Sequence, residues 1–318
     1  MSFRLGQIIL CLILFQPIRF NIMFSGKFSY ISRVVALLIL ISFLPVLSAR
    51  HASTFSGKRA YEYVQNQVAF GPRIPGSSAH SSAEQFISSK IIEAGWMIKY
   101  QDLTVDGKSI RNIIGYRDNK NDDVTILMGT HYDSRIYADR SDTSSDISTG
   151  VPGANDGASG VAVLLELIRT LPRNIVPVQM VFFDAEDNYG IEGWEGSIGS
   201  RAYVEGLIKY PQSVVILDMV GDRQLSIYYE TNSDKRLSQE IWLIANELNF
   251  HQFIQEYKYS MLDDHTPFID AGIPTALIID YDYEYWHTTF DTTDKVSPES
   301  LDAVGDTIWT WIVNYSSN

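Results

Sequence analysis

Five short motifs that contain acidic residues or histidine are spread along this 318-residue chain. They are THYDS with His131, GANDGASG with Asp156, FFDAED with Glu186 and Asp187, ILDMVGD with Asp218, and YWHTTFDT with His287. Helical and strand-like segments separate the motifs, so their side chains can meet only in a folded pocket. Because zinc accepts imidazole and carboxylate ligands, the set predicts a zinc site with a general base beside it.

Apolar segments precede most of these motifs and indicate the fold. Short apolar runs predict strands over residues 113–116, 124–128, 178–183, 214–217 and 276–279. Helical spacing of apolar residues predicts helices over residues 82–94, 161–171 and 298–313. The alternation predicts an α/β fold around an open sheet. Ligands of such sheets bind at the carboxyl ends of the strands, which is where the motif residues stand.

The composition limits both the metal ligands and the partners. Cys11 is the one cysteine and lies in the apolar N-terminal stretch, so the folded part has no thiol to offer. His, Asp and Glu must therefore hold any metal. The net charge of -13, without a basic cluster, argues against nucleic acid or an anionic membrane surface as a partner. The 45% hydrophobic content suits one large domain, which we place at residues 50–318.

Residues 1–49 are predicted to be a leader rather than part of the fold. The apolar run 34–47 follows Lys27 and Arg33 and precedes Ser48 and Ala49, as in a signal peptide. A true start at Met23 would remove the earlier apolar run at residues 8–15. A retained N-terminal anchor is the alternative, and a membrane would then be contacted only through this uncleaved leader. Both predict a secreted or extracytoplasmic catalytic part.

Most of the motif residues also have a structural explanation. Asp156 precedes a helix and is able to cap it, and a histidine beside an aromatic residue such as Trp286 is common in ordinary cores. Asp218 ends an apolar strand, where a carboxylate is costly to bury without compensation by a cation or hydrogen bonds. Glu186 and Asp187 are adjacent, so one side chain can hold a metal while the other faces substrate or water.

Taken together, the motifs resemble those of the zinc exopeptidases of metallopeptidase family 28 and of their relatives, the glutaminyl-peptide cyclotransferases. The resemblance extends from FGPRIPGS at Phe70 to DTTDKVSPESL at Leu301. It implies a three-layer α/β sandwich whose central mixed, mostly parallel twisted sheet is flanked by helices. It also implies a principal zinc on Asp156, Asp187 and His287, a second zinc on His131 and Asp218 bridged by Asp156, and Glu186 as general base. Asp187 replaces the glutamate that is commoner in the aminopeptidases but supplies the same oxygen ligand.

The resemblance leaves two reactions open, both at peptide or protein N-termini. An aminopeptidase uses two zinc ions to hydrolyse the first peptide bond, and Glu186 would deprotonate the attacking water. A cyclotransferase uses one zinc and closes N-terminal glutamine to pyroglutamate, and Glu186 would carry a proton from the α-amine to the departing ammonia. A catalytically silent surface-binding domain is a third alternative, but the complete set of ligands and base argues against it.

Three residues outside the ligand set favour cyclisation. Asp263, in the sequence DDH, resembles the cyclase pattern, and it would extend a proton network formed with Glu186 and Asp218. Trp286 and Trp194 resemble the two tryptophans of the cyclase substrate pocket. A helix-capping role for Asp263 and a core role for the tryptophans are the structural alternatives. We therefore predict a glutaminyl cyclase, with an aminopeptidase as the alternative.

Overall fold

The computed structural model describes residues 53–117, 124–141 and 149–315. The predicted leader at residues 1–49 lies outside the described residues. In chain order the elements are α1 (Gly57–Val68), α2 (Ser78–Glu93), β1 (Met97–Val105), β2 (Lys108–Tyr116), β3 (Ile126–His131), α3 (Ala158–Thr170), β4 (Val178–Phe183), α4 (Ile198–Glu205), β5 (Ser213–Asp218), β6 (Ile227–Glu230), α5 (Lys235–Glu247), β7 (Phe253–Tyr259), α6 (Thr266–Asp270), β8 (Thr275–Ile279) and α7 (Pro298–Asn314).

Within the described residues, six strands form the central sheet in the order β1-β2-β4-β3-β5-β8. The strands β4, β3, β5 and β8 run parallel to one another. β2 runs antiparallel to both β1 and β4, which makes the sheet mixed. β6 and β7 form a separate parallel pair. The predicted mixed, mostly parallel sheet is therefore confirmed.

The parallel strands are buried on both of their faces. Every residue of β3, β4, β5 and β8 is buried. Along β4, Met180 and Phe182 pack into one hydrophobic cluster, whereas Val181 and Phe183 pack into another. Successive side chains of a strand point to opposite faces, so such a sheet must be covered by helices on both sides. This explains why these strands appear in the sequence as continuous apolar runs.

The helices supply the two outer layers of the predicted sandwich. Buried residues of α1, α2, α3, α5 and α7 belong to the first cluster. The second cluster includes Tyr203 of α4 and Phe268 of α6. Helix α3 is buried from Ala158 through Ile168, which is expected of a helix that is apolar on nearly all sides. The three-layer α/β architecture is confirmed.

Several element boundaries differ from the predictions for local reasons. The helix predicted over residues 82–94 begins at Ser78, because the Ser77 hydroxyl accepts a hydrogen bond from the His80 N–H at 3.1 Å and caps it. The helix predicted over residues 161–171 begins at Ala158, directly after the GANDG turn. In the part of the chain from residue 53 that the structure covers, no helix combines the length and apolar character needed to span a bilayer.

Candidate metal centre and active site

The sheet brings the predicted site residues to one edge. His131 is the last residue of β3 and Asp218 is the last residue of β5. Glu186 and Asp187 lie just after β4, which pairs with β3 on the side opposite β5. Parallel strands end at the same edge, so these side chains come close together although they are distant in sequence. All six residues assigned to the metals and the base are buried: His131, Asp156, Glu186, Asp187, Asp218 and His287.

Asp156, Asp187 and His287 form the first of two groups, called here the His287 group. His287 Nε2 lies 2.9 Å from Asp187 Oδ1 and 3.8 Å from Asp156 Oδ2. Asp156 Oδ2, Asp187 Oδ2 and His287 Nε2 are buried and find no hydrogen-bond partner among the described residues. Unpartnered polar atoms are costly to bury, and a cation would compensate all three at once. The donor set therefore fits a zinc ion.

His131, Asp156 and Asp218 form the second group, called here the His131 group. His131 Nε2 is hydrogen-bonded to Asp218 Oδ1 at 3.1 Å and lies 3.2 Å from Asp156 Oδ1. Its Nδ1 lies 3.4 Å from Asp133 Oδ1. Burial lowers the pKa of His131, but its contacts with these three carboxylates raise it well above the usual value. The contacts of this group are thus largely made within the group, with Asp156 shared between both.

Arg135 and Asp139 support the His287 group from outside. His287 Nδ1 lies 3.4 Å from Asp139 Oδ1, which in turn accepts a hydrogen bond from Arg135 Nε at 2.9 Å. Arg135 Nη1 also reaches Asp187 Oδ1 at 3.4 Å. A carboxylate on the second nitrogen of a ligand histidine orients the ring and increases its basicity. Nothing in the sequence indicated these two residues beyond their position after the THYDS motif.

Asp291 positions the loop that carries Asp156. Its carboxylate accepts hydrogen bonds from the backbone N–H groups of Asn155 at 2.8 Å and Asp156 at 3.1 Å. The hydroxyl of Tyr283 donates to the same carboxylate at 2.6 Å. Asp291 belongs to the motif YWHTTFDT, in which only His287 was predicted to act. The motif therefore supplies one predicted ligand, His287, and the residue that holds the backbone of another, Asp156.

Arg73 and Gly157 explain two further parts of the sequence. Arg73, in the segment FGPRIPGS, is fully buried, and its guanidinium donates to the carbonyls of Tyr132 at 3.1 Å and Gly153 at 2.7 Å. It thereby ties the loop before α3 to the segment after β3. A Cβ atom on Gly157 would lie 2.6 Å from Cε1 of His131. The glycine is thus required for the imidazole to pack against the loop.

A cavity of about 560 Å³ opens onto both groups. Glu186, Asp218 and Asp263 line it together, and all three are buried. Burial, followed by the charge of Asp218, raises the pKa of Asp263 to about 7. Burial also raises the pKa of Glu186 well above its usual range; the charge of His131 opposes this shift, whereas that of Asp263 adds to it. Asp263 is therefore suited to accept and release a proton near neutral pH, and Glu186 binds a proton more strongly than an ordinary carboxylate.

The two predicted pocket tryptophans lie in different places. Trp286 lines the cavity, where its ring packs against that of His287 at an angle of 39°, with the ring centroids 4.0 Å apart, and meets Tyr281 edge-on at 5.0 Å. Trp194 is not among the lining residues. Its ring lies beneath the ammonium group of Lys108 at 4.7 Å and packs on the small hydrophobic cluster that contains Ile110. A substrate contact by Trp194 stays a prediction that its position does not support.

Three residues with left-handed backbone conformation stand next to the catalytic groups. Ala185 precedes Glu186 with a φ of 55°, Met219 follows Asp218 with a φ of 47°, and His287 itself has a φ of 58°. Non-glycine residues adopt this region only when the surroundings enforce it, and such residues collect at functional sites. The fold therefore imposes strained backbone where it aims the base and two metal-facing side chains.

Residues 112–312 match the sequence pattern of Peptidase family M28. The chain belongs to this family. A glutaminyl-peptide cyclotransferase of Boiga irregularis is 23% identical over 76% of this M28 chain and 77% of its own. The Tannerella forsythia glutaminyl cyclase structure is 31% identical, covers 83% of the chain and 100% of its own, and has a TM-score of 0.74. A Zn-dependent exopeptidase from Parabacteroides distasonis is 30% identical, with the same coverage and a TM-score of 0.77.

These relatives are enzymes of two kinds, cyclotransferases and exopeptidases, and this M28 chain is an enzyme of one of them. The similarity of fold does not separate the two, because a cyclase and an exopeptidase match it almost equally well. The choice must come from the residues that line the cavity.

Proposed function

We propose that this M28 enzyme is a glutaminyl-peptide cyclotransferase, which converts N-terminal glutamine to pyroglutamate and releases ammonia. The observation that carries the proposal is the position of Asp263. Its carboxyl group is buried in the same cavity as Glu186 and Asp218 but belongs to neither metal group. Hydrolysis by a two-zinc site has no need of this further acid, whereas cyclisation must move a proton between two nitrogen atoms.

Glu186 performs the proton transfer in this proposal. It takes a proton from the α-amine as the amine nitrogen attacks the side-chain amide carbon. It then returns the proton to the amide nitrogen, the bond between this nitrogen and the carbon breaks, and ammonia leaves. The raised pKa of Glu186 makes it a stronger base than an ordinary carboxylate. Asp218 and Asp263 line the cavity beside it and complete a network that can share the proton.

The other cavity groups bind and orient the glutamine side chain. A zinc ion on Asp156, Asp187 and His287 would polarise the amide carbonyl and stabilise the charge that builds on its oxygen. Trp286, which packs against His287, supplies an apolar wall for the methylene groups of glutamine. Because the amine and the amide belong to one substrate, holding them together in a closed conformation supplies much of the rate enhancement.

A two-zinc aminopeptidase is the second candidate, and one observation favours it. Asp156 faces His131 with one carboxylate oxygen and His287 with the other. Each group offers ligand atoms that lie within 4.8 Å of one another. This is the arrangement that two ions bridged by a carboxylate would need. Glu186 would then activate water for attack on the first peptide bond.

Two substrates given to the same preparation test the proposal. The purified enzyme is incubated with an N-terminal glutamine peptide, followed by ammonia release and mass spectrometry, and with leucine amide, followed by hydrolysis. We expect pyroglutamate from the first substrate and little turnover of the second. Hydrolysis of leucine amide without any pyroglutamate would establish the aminopeptidase instead.

The variant Asp263→Asn sharpens this test. It keeps the shape of the side chain but removes its ability to exchange a proton. We expect cyclisation to fall by about 10²-fold, at the lower end of the range for acid–base groups. Residual leucine amide hydrolysis should change by less than about twofold, because hydrolysis does not call on this acid. An unimpaired cyclisation rate would refute the role of Asp263 in proton transfer.

We also infer that the enzyme is exported. The support is the charged and apolar sequence of residues 27–49, with Ser48 and Ala49 as a cleavage site. The test is the N-terminal sequence of the enzyme recovered from outside the cytoplasm of an expressing cell. We expect a new N-terminus near residue 50, whereas an intact leader on a membrane-bound form would indicate an anchor.

A further inference from the structure

A buried carboxylate that the proposed mechanism does not use lies behind one wall of the cavity. Glu230, the last residue of β6, is 2% exposed. Its Oε2 atom accepts hydrogen bonds from the backbone N–H of Asn232 at 2.9 Å, and from the backbone N–H of Ser233 at 2.8 Å and its hydroxyl at 2.9 Å. Glu230 is thus fixed tightly on one side by its own chain neighbours.

Glu230 also contacts the segment that carries Asp263. Its Oε1 accepts a hydrogen bond from the backbone N–H of Met261 at 3.1 Å. Its Oε2 lies 3.4 Å from Nε2 of His265, an ion-pair contact outside ideal hydrogen-bond alignment, and His265 is fully buried. Met261 and His265 flank Asp263 symmetrically, two residues before it and two after it. The histidine of the DDH sequence therefore contacts Glu230 behind the cavity wall.

A second connection holds the same segment. The side-chain amide of Asn232 donates to the Ser260 hydroxyl at 2.9 Å. Ser260, Met261 and Asp263 all line the cavity. The turn that follows β6 therefore determines where this wall stands.

These contacts depend on the Glu230 carboxylate, which accepts hydrogen bonds and cannot donate them. Burial raises the pKa of Glu230, but His265 and the backbone donors of Asn232 and Met261 hold it at about 2. An ionised carboxylate offers two acceptor oxygens. A glutamine in its place has a single oxygen, and its amide NH₂ would face either the Met261 N–H or the donors of Asn232 and Ser233. The hydrogen bonds on one side of the side chain must then be lost.

We propose that Glu230 is a positioning residue that acts through Asp263: it holds the backbone of Met261 before Asp263, contacts the buried ring of His265 after it, and so places that carboxyl group for proton transfer. The inference rests on the proposed cyclase function. It assigns a role to the third residue of DDH and to a residue outside every predicted motif. A displacement of about 1 Å at a reacting group can cost up to two orders of magnitude in rate.

The test begins with Glu230→Gln in the full chain. We expect kcat for cyclisation to fall about 10-fold or more, with KM changed by less than about twofold, because the glutamine-binding groups are untouched. The zinc content should not change, since neither metal group contacts Glu230. The decisive measurement is the double-mutant cycle with Asp263→Asn. If Glu230 acts through Asp263, adding Glu230→Gln to Asp263→Asn should lower kcat by less than about twofold more.

Glu166→Gln is the matched control. Glu166 is fully buried in α3 and pairs with Arg169 at 2.6 Å, and it does not line the cavity. This variant should lower the melting temperature in the same way as Glu230→Gln but leave kcat unchanged.

The outcomes separate the two proposals. Absence of pyroglutamate from the wild-type enzyme would overturn the cyclase and the role of Glu230 with it. If the wild-type enzyme cyclises and Asp263→Asn is impaired, the cyclase stands. An unchanged kcat in Glu230→Gln, or losses that multiply in the double variant, would then overturn the positioning role alone.

Discussion

The His287 group and the His131 group share Asp156, have similar residue types and are both buried, yet they differ in how their polar atoms are satisfied. Three atoms of the His287 group find no hydrogen-bond partner in the described ranges. In the His131 group, Nε2 of the histidine is hydrogen-bonded to Asp218, and the histidine nitrogen without a hydrogen-bond partner is Nδ1. Two clusters of the same composition therefore differ in which of their donor atoms are left to meet a cation.

This difference bears on the choice between the two reactions. A cyclase needs one ion and a network of acids, which is what a proton-bearing His131 next to Asp218 would provide. A two-zinc hydrolase needs the His131 group to give up its proton and bind metal instead. Variants in and around each group test whether the two groups differ in solution as they do in the structure.

Removal of one histidine from each group should give the largest contrast. His287→Ala should lose bound zinc and reduce cyclisation by about a thousandfold, because several kcal/mol of charge stabilisation disappear with the metal. His131→Ala should keep a single zinc ion and lose less than about tenfold in rate. Metal analysis of the purified variants, beside their kinetics, makes the comparison. Equal zinc loss in both variants would show that the groups are equivalent.

Replacement of the base should separate chemistry from metal binding. Glu186→Gln should lower kcat by about 10²-fold to 10⁴-fold while it retains the zinc of the wild-type enzyme. The neighbouring Asp187→Ala is the matched variant, and it should lose zinc as well as activity. The pair is measured by kinetics and metal content. A fully active Glu186→Gln enzyme would refute the assignment of the base.

Loosening the shared ligand should have a smaller effect. Asp291→Asn should weaken zinc affinity by about 10-fold to 100-fold, because Asp291 holds the backbone of Asp156 in place. Competition with a metal-sensitive chelating dye measures the affinity. Asp280→Asn is the control, since Asp280 is equally buried and also accepts two backbone N–H groups, those of Ser226 and Asp282, away from the metal groups. An equal loss in both variants would contradict the anchoring role of Asp291.

Chelation of the metal should give the smallest effect, on thermal stability. A ligand present at 100 times its Kd adds about 2.7 kcal/mol to the free energy of unfolding, which corresponds to a melting temperature several degrees higher in a domain of this size. A chelator should therefore lower the melting temperature of the wild-type enzyme and of His131→Ala, but not that of His287→Ala. A chelator effect that persists in His287→Ala would place the stabilising ion elsewhere.

The sequence predicted the sheet well because strands leave a local pattern, and the residues that the family resemblance implies as metal ligands come together in two buried groups. β4 was predicted at its observed bounds, since a strand buried on both faces is continuously apolar. His131 and Asp218 stand at strand ends, where a polar residue after an apolar run is conspicuous, whereas Asp156 and His287 lie in turns outside the strands. In contrast, helix α5 and strand β7 were not predicted, because their apolar residues are interrupted by charged and polar side chains that face solvent.

The supporting residues could not be predicted, for a different reason. Arg73 and Asp291 act on backbone groups of a loop that is distant in sequence, and backbone groups leave no trace in residue type. Glu230 likewise serves the backbone of Met261. The substrate contact of Trp194 stays a prediction: its ring contacts a lysine and packs on a small hydrophobic cluster, and it is not among the residues that line the cavity.

The left-handed backbone at Ala185, Met219 and His287 has a consequence for attempts to engineer the enzyme. Such conformations cost of the order of 1 kcal/mol or more each, so these positions are natural targets for stabilising substitutions, glycine among them. A screen for heat resistance alone would select substitutions at these positions. Because the backbone at each of these positions orients a side chain of the active centre, we expect the thermostable variants to have lower turnover rates.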